Sequence, residues 1–402
     1  MPVLLVGTLD TKGVEFQFVR DLLNEAGVDT VVIDAGVIGP PHFTPDVPRE
    51  RVFAAAETSL EEIRRVGDRG RAIEAAARGA AACAQMYAPE VTGILGLGGS
   101  AGTTIATAVM RAFPFGVPKL MVSTLASGQV RPYVGVRDIL MMHSVVDFCG
   151  LNFISRTILT NAANAMIGMV KGPARQPAVE NLMEGKALLA ATMFGVTTPC
   201  VEAARQIVEA QGYEVLVFHA TGTGGLTMES FIRDGLIRGV LDLTTTELAD
   251  ELVGGILSAG RDRLTAAGLR GVPQVISLGA LDMVNFGPPQ TVPEKFRGRR
   301  FYPHNPNVTL MRTTPEENDA LGKEIAHKAS AARGPTAVLM PLRGVSALDA
   351  EGQPFWWPDA DAALFQSLRN WMSPQVRLIE LDLHINDPAF AQIAAQTLLE
   401  MM

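Results

Sequence analysis

Between Leu95 and Thr104 the chain reads Leu-Gly-Leu-Gly-Gly-Ser-Ala-Gly-Thr-Thr, four glycines threaded with hydroxyls. The apolar run Val91 to Leu95 enters this stretch, and Ile105 to Arg111 leaves it with the character of a helix. A strand, a glycine turn and a helix start in that order present free backbone N–H groups and the positive end of a helix dipole to an anion. Gly98, Gly99 and Gly102 let the backbone turn and let a phosphate come close, while Ser100, Thr103 and Thr104 offer hydroxyls. The expected chemistry is a cradle for the phosphates of a nucleotide. The pattern is not a P-loop, because no Gly-Lys-Ser/Thr follows, nor is it a GxGxxG at the first strand. The competing reading is a tight turn whose small residues only permit close packing.

Other polar groups stand where apolar runs end. Val3 to Val6 ends in Gly7-Thr8-Leu9-Asp10-Thr11-Lys12-Gly13, and Lys12 there could neutralise phosphate. Asp10 is suited either to hold Mg²⁺ or to cap the following helix. Asp34, closing Thr30 to Ile33, is placed either to bind a ribose hydroxyl or to serve as a plain turn acid. Pro118 to Val122 ends in Ser123-Thr124-Leu125-Ala126-Ser127-Gly128, a further hydroxyl and glycine loop. His143 sits in an apolar segment over 138–147; with no second His or Cys at metal spacing, it is expected to be an interior, hydrogen-bonded histidine.

The second half repeats the arrangement. Apolar runs end at Thr197 and Thr198, at His219-Ala220-Thr221-Gly222-Thr223-Gly224, at Asp242 and Thr244, at Asp282 and Asn285, at Arg312 and Thr313, and at Arg343 and Ser346. In a parallel sheet such ends share one edge, where small molecules bind. Any one of them could be a helix cap; together they point to a second polar site. His219 could serve there as a general acid or base, and either His219 or Asp242 would activate a nucleophile. Asp242 and Asp282 could hold a cation, and Arg343 could fork onto a carboxylate or phosphate. No GxSxG elbow supports a serine hydrolase. Phe355-Trp356-Trp357 reads as an exposed aromatic loop suited to a subunit or domain contact.

The elements that position these groups alternate between buried-type strands and helices, the pattern of an α/β protein with mostly parallel, Rossmann-like sheets flanked by helices. At 402 residues the chain accommodates two such domains, expected at 1–180 and 181–402, with a linker over 172–181. A proline-rich loop over 36–50 carries His42. Helices are expected over 51–65, 69–87 and 152–171, with Asn161 and Asn164 on the last. A content of 48% hydrophobic and 19% charged residues with net charge −8 suits a globular protein and argues against a general nucleic-acid binder. Cys83, Cys149 and Cys200 are too few and too far apart for a disulfide framework. Neither a signal peptide nor an apolar run of about 20 residues is present, which leads to the expectation of a cytoplasmic protein without a membrane anchor.

Six segments in order, GTLDTKG, GLGGSAGTT, STLASG, GVTTPCV, FHATGTGG and PLRGVSALDAEGQPFWWP, resemble the family of uncharacterised microbial proteins related to the ATP-binding N-terminal region of the tomato mosaic virus resistance protein. The resemblance implies two α/β domains, bound ATP, and a homodimer. It carries nucleotide contacts to Gly7, Thr8, Lys12, Gly98, Gly99, Ser100, Gly102, Thr103 and Thr104, with Ser123 and Thr124 nearby. With Mg²⁺, ATP-driven phosphoryl or group transfer to a small anionic metabolite is the leading expectation. That metabolite would meet Thr197, Thr198, Thr221, Gly222, Thr223, Gly224, Asp282, Arg312 and Arg343. The alternative is a non-catalytic module that uses ATP to fix its dimer.

Overall fold

The computed structural model describes residues 1–172 and 186–402, which form two compact α/β units, each built on its own parallel sheet flanked by helices. The boundary expected near residue 180, and the linker beyond Gly172, lie outside the described residues.

In the N-terminal unit β1 (Val3–Gly7), α1 (Leu9–Glu25) and β2 (Thr30–Asp34) form a βαβ unit with parallel strands. The chain then passes through α2 (Arg49–Ala55), α3 (Leu60–Val66) and α4 (Arg69–Gln85) before β3 (Gly93–Gly98). Next come α5 (Ser100–Ala112), β4 (Lys119–Ser123), α6 (Arg131–Val134), β5 (Leu140–His143) and α7 (Phe153–Lys171). The strand order is β2-β1-β3-β4-β5, every pairing parallel. Period-two alternation splits the core: Val3 and Leu5 pack with α1 and α7, whereas Leu4 and Val6 pack with α2, α4 and α5. The single helix expected over 51–65 is two short ones, because Glu57 (φ 59°) breaks the first and Ser59 caps the second. Crossing from β2 to β3 reverses the direction of strand addition, so β1 and β3 diverge into helices on opposite faces. That leaves a crevice at their C-terminal ends, the usual ligand position in such sheets.

The C-terminal unit has the parallel order β14-β13-β9-β8-β6-β7. Its elements are β6 (Leu188–Met193), α8 (Thr198–Ala210), β7 (Glu214–His219), α9 (Thr223–Arg233), β8 (Gly239–Thr244), α10 (Thr246–Val253), α11 (Ala266–Arg270) and β9 (Gln274–Gly279). After β10 (Met283–Phe286), β11 (Phe301–Asn305) and β12 (Val308–Arg312) follow α12 (Pro315–Ser330), β13 (Thr336–Pro341), α13 (Pro358–Trp371), β14 (Arg377–Leu381) and α14 (Pro388–Met401). Read in chain order, its first five sheet strands repeat the N-terminal topology, with a sixth added at the edge. One expectation is corrected here: β12 does not join the parallel sheet but lies antiparallel between β10 and β11. Arg312 and Thr313 therefore end a strand outside the parallel sheet, whereas Asp282 follows β9 and Asn285 lies in β10. The sequence signal for β12 was an apolar run, and such runs do not reveal strand direction.

Two buried cations organise this unit. Arg263, fully buried, forks onto Asp242 at 2.5 and 2.6 Å and donates through Nε to Glu247 at 2.6 Å, with Glu229 at 3.6 Å. Arg312, also fully buried, reaches Asp361 at 2.6 Å, Asp349 at 3.4 Å and the Phe355 carbonyl at 2.7 Å, pinning the loop over 342–357. Phe355 is thereby buried, while Trp356 stays exposed, so the aromatic loop is only partly at the surface. Asp250 of α10 ties β10 to the unit by accepting the Asn285 backbone N–H at 3.0 Å and its side-chain amide at 2.7 Å.

Arg263→Ala should strand three buried carboxylates and lower stability by about 3–5 kcal/mol, read as a reduced urea midpoint of the full chain; an unchanged midpoint would show that the cation holds nothing. Burial pushes the Asp250 carboxyl up to about 7, whereas unfolding returns it to the ordinary carboxylate range. The folded chain thus keeps a proton that the unfolded chain gives up, and stability falls as pH rises from about 4 to about 7. This contribution is on the order of 4 kcal/mol. Asp250→Asn should flatten that slope in urea titrations run across the same pH window, and an equally steep slope would refute the assignment.

Candidate functional site: a cleft over the first sheet

The C-terminal ends of all five N-terminal strands open into one cleft of about 1080 Å³. Ala35, Val37 and Ile38 enter from β2; Thr8, Asp10, Thr11 and Lys12 from β1; Gly98 to Gly102 from β3; Thr124 and Leu125 from β4; and 143–147 from β5. Helices α3 and α4 wall the β2 end with Ile63, Ala72, Ile73 and Ala76, joined by Ile105 of α5. Arg64, Asp68 and Arg69 line the cleft beside these apolar residues, while Lys12, His143 and Asp147 line it toward β5.

At its centre lies the turn from β3 into α5. Gly99 is the N-cap and no side chain caps this helix among the described residues, so the first-turn amides point at the cleft without an internal acceptor in place. A Cβ on Gly98 would stand 3.0 Å from the Gly102 Cα, which is why the turn tolerates nothing larger there. The hydroxyls divide into two groups. Thr103, fully buried, donates to the Gly99 carbonyl at 2.8 Å and pairs with the buried Ser123 hydroxyl at 2.7 Å; these two brace the turn. Thr104 bonds back to the Ser100 carbonyl at 2.9 Å. Ser100 and Thr124 face the cleft. Gly7 does not line it: a Cβ there would meet the Phe16 ring at 2.1 Å, so its smallness serves packing.

Around the turn, Lys12 interrupts the helical geometry of α1 and directs its Nζ to the Phe148 carbonyl, next to the β5 end of the cleft. Asp10 Oδ2 accepts backbone N–H groups of Val37, Ile38 and Gly39 at 3.0, 2.7 and 3.3 Å, so it ties down the loop after β2 rather than capping α1. Asp34 is fully buried and its Oδ1 accepts from the Leu9 and Gly36 amides at 3.0 and 2.9 Å, which removes it from any ribose. Burial raises its pKa above the ordinary carboxylate range, with the Arg49 guanidinium at 3.9 Å opposing the shift.

His143 departs from its expected interior place. It is exposed and lines the cleft at the end of the edge strand β5. After it, Val145 is 60% exposed with φ 65°, and the Val146 N–H closes a three-residue turn onto the Ser144 carbonyl at 2.7 Å. A β-branched residue in the left-handed region is strained by about 1–3 kcal/mol. Sequence reasoning also missed Val37, Ile38, Ile63 and the α4 residues. Their spacing signalled only a helix face, and nothing local told packing against a sheet from walling a cleft.

The C-terminal candidates are dispersed. His219 is exposed at the end of the edge strand β7, tilted against Phe194 at 5.4 Å between ring centres. Asp242 is 1% exposed, its carboxylate taken up by Arg263 and by Thr192 at 2.8 Å. The glycine turn at 222–225 has an internal anion: the Gly222 and Gly225 amides donate to Glu247 Oε1 at 2.7 and 3.0 Å. Gly224 lies under the His219 carbonyl, where a Cβ would stand 1.9 Å away. Thr221 bonds locally to the same carbonyl at 3.3 Å, and Thr223 opens α9. Thr197 is buried against Thr244 at 2.7 Å, and Thr198 starts α8 by bonding the Phe194 carbonyl at 3.2 Å. Asp282 accepts from Ser346 at 2.7 Å inside the core that also holds Arg312. Arg343 is exposed and forks onto Asp382, both bonds at 2.7 Å. These residues thus fall into a buried network around Arg263, another around Arg312, and separate surface positions.

Among the described residues no cluster of three or more His, Cys, Asp or Glu side chains is arranged to hold a metal, and no helix is long and apolar enough to cross a membrane.

Residues 1–175 match the N-terminal domain, and 186–402 the C-terminal domain, described as "Uncharacterised protein family (UPF0261)". A UPF0261 protein of Clostridium tetani is 51% identical over 100% of this chain and 98% of its own length. One of Rhizobium meliloti is 49% identical over 98% and 97%, respectively. The ToMV resistance protein Tm-1(GCR237) of Solanum lycopersicum is 44% identical over 77% of this chain, a match that spans 42% of the tomato protein. With both domains matched in order over nearly the whole chain, this protein is a member of the uncharacterised protein family UPF0261.

Proposed function

We propose that the N-terminal domain binds a nucleoside triphosphate, ATP, in the cleft over its sheet. The observation that carries this reading is the start of α5: a glycine N-cap turns the first-turn amides of a 13-residue helix toward a cavity of about 1080 Å³. Amides and helix dipole together favour an anion there. The side chains of Ile38, Ile63 and Ile73 suit a base, while Lys12, Ser100 and Thr124 supply charge and hydroxyls for phosphates. The residues present therefore fit the group. Mg²⁺ would enter mainly on the phosphates, as it commonly does, with the exposed Asp147 as a carboxylate at that end of the cleft. A cytoplasmic homodimer belongs to the same proposal; its support is the family resemblance and, for the compartment, the sparse cysteines.

Of the two functional readings, the geometry favours a nucleotide-binding module over one with a small-metabolite site in the C-terminal domain. The specific observation is that Asp242 and the 222–225 turn are already engaged by Arg263 and Glu247.

Gly99→Asp tests the anion site directly. The N-cap backbone is extended (φ −82°) and accepts a side chain, and an Asp there would accept from the first-turn amides itself. Stability should hold or rise by a few tenths of a kcal/mol, while calorimetric titration with ATP and Mg²⁺ should show at least roughly tenfold weaker binding than wild type. Undiminished binding by this variant, or no binding by the wild-type chain, would overturn the proposal.

A further inference from the structure

Resting on that reading of the cleft, we propose that His143 is the residue by which the site selects a nucleoside triphosphate over a diphosphate. The cleft has a direction. Ile63 and Ile73 stand at the β2 end with Arg64, Asp68 and Arg69 beside them, the glycine turn lies at β3 in the middle, and His143 lies beyond β4 at the end of β5. Gly98 pairs with Ser123, and Ser123 with His143, so His143 is level with the turn along the strands and two strands away across the sheet. Two inter-strand spacings are about 10 Å. A ligand with its base against Ile63 and Ile73 and its first phosphates over α5 therefore runs toward β5, and the last group of its tail is the one that meets His143.

The surroundings suit that task. An imidazole donates a hydrogen bond to a phosphate oxygen in either protonation state. The Lys12 amine lies on the same side, bonded to the Phe148 carbonyl, and the carboxylate on that side, Asp147, accepts the Phe148 amide at 2.8 Å. The backbone is held as well: the Ser144 N–H donates to the Ser123 carbonyl at 3.1 Å, and the left-handed Val145 turn follows at once. Strain in an exposed turn beside a cleft is accounted for when the turn fixes a group that the ligand uses.

Calorimetric titration of the full chain with ATP and with ADP, each with Mg²⁺, tests this on wild type, His143→Ala and His143→Lys. Because His143 is exposed, all three should melt at the same temperature without ligand. Wild type should bind ATP about tenfold or more tighter than ADP, the worth of one charge-assisted contact. The alanine variant should lose that preference by weakening ATP alone, and the lysine variant should retain it. Equal affinities in wild type, an alanine variant that keeps the preference, or one that weakens ATP and ADP alike would each overturn the selector role while leaving nucleotide binding standing. A wild-type chain that binds neither nucleotide would instead remove the reading on which the role depends.

Discussion

A helix start must find acceptors for its first amides, and this chain meets that demand in two opposite ways. At α5 the N-cap is a glycine and the amides look into an open cleft. At the 222–225 turn the chain supplies its own anion, Glu247, held in turn by the buried Arg263. Both segments are glycine turns carrying hydroxyls after a strand. What separates them is whether a carboxylate from elsewhere in the fold already occupies the space a phosphate would take. Whether each turn stays open to a ligand follows from how that requirement is met.

Because the two sheets share the order of their first five strands, the comparison between them is internal to the molecule. In the N-terminal domain the crevice between β1 and β3 is rimmed by Thr8, Asp10, Lys12 and the glycine turn, and α3 and α4 deepen it. In the C-terminal domain the corresponding crevice lies between β6 and β8. There Thr192, Asp242, Thr197 and Thr244 satisfy one another, and Arg263 neutralises the acids. A buried network of this kind is strong only when complete, which makes it a poor place to admit a ligand. Asp242, read as catalytic from sequence, is in the fold an interior joint of the domain, while His219 stands exposed on an edge strand.

Much of the architecture was legible beforehand. Continuous apolar runs such as Val3 to Val6 and Leu120 to Val122 are what strands covered on both faces require, and their alternation with helices specified parallel sheets. The helix expected over 152–171 could be read from its period; in the structure Asn152 is its cap, with Ser155 as the reciprocal partner. The glycine stretch at 96–104 could be located as a strand-to-helix turn. The antiparallel β10–β12 sheet could not, because Val308 to Met311 has the same apolar look in either direction. Nor could the α3–α4 wall, whose alanines and isoleucines carry no sign of which side they face.

The sequence alone determined where chemistry-capable groups stand along the chain: which residues end strands, which glycines leave room, and which hydroxyls precede helices. Those are local matters, set by backbone sterics and hydrogen-bond capacity within a few residues. Only tertiary structure decided which of these groups remain available. Asp34 and Asp242 became internal acceptors, Gly7 became a seat for Phe16, and His143 was left exposed at an edge strand beside the cleft. The physical reason is that availability depends on partners remote in sequence, since burial and pairing are set by which elements pack together rather than by the residue's own neighbours.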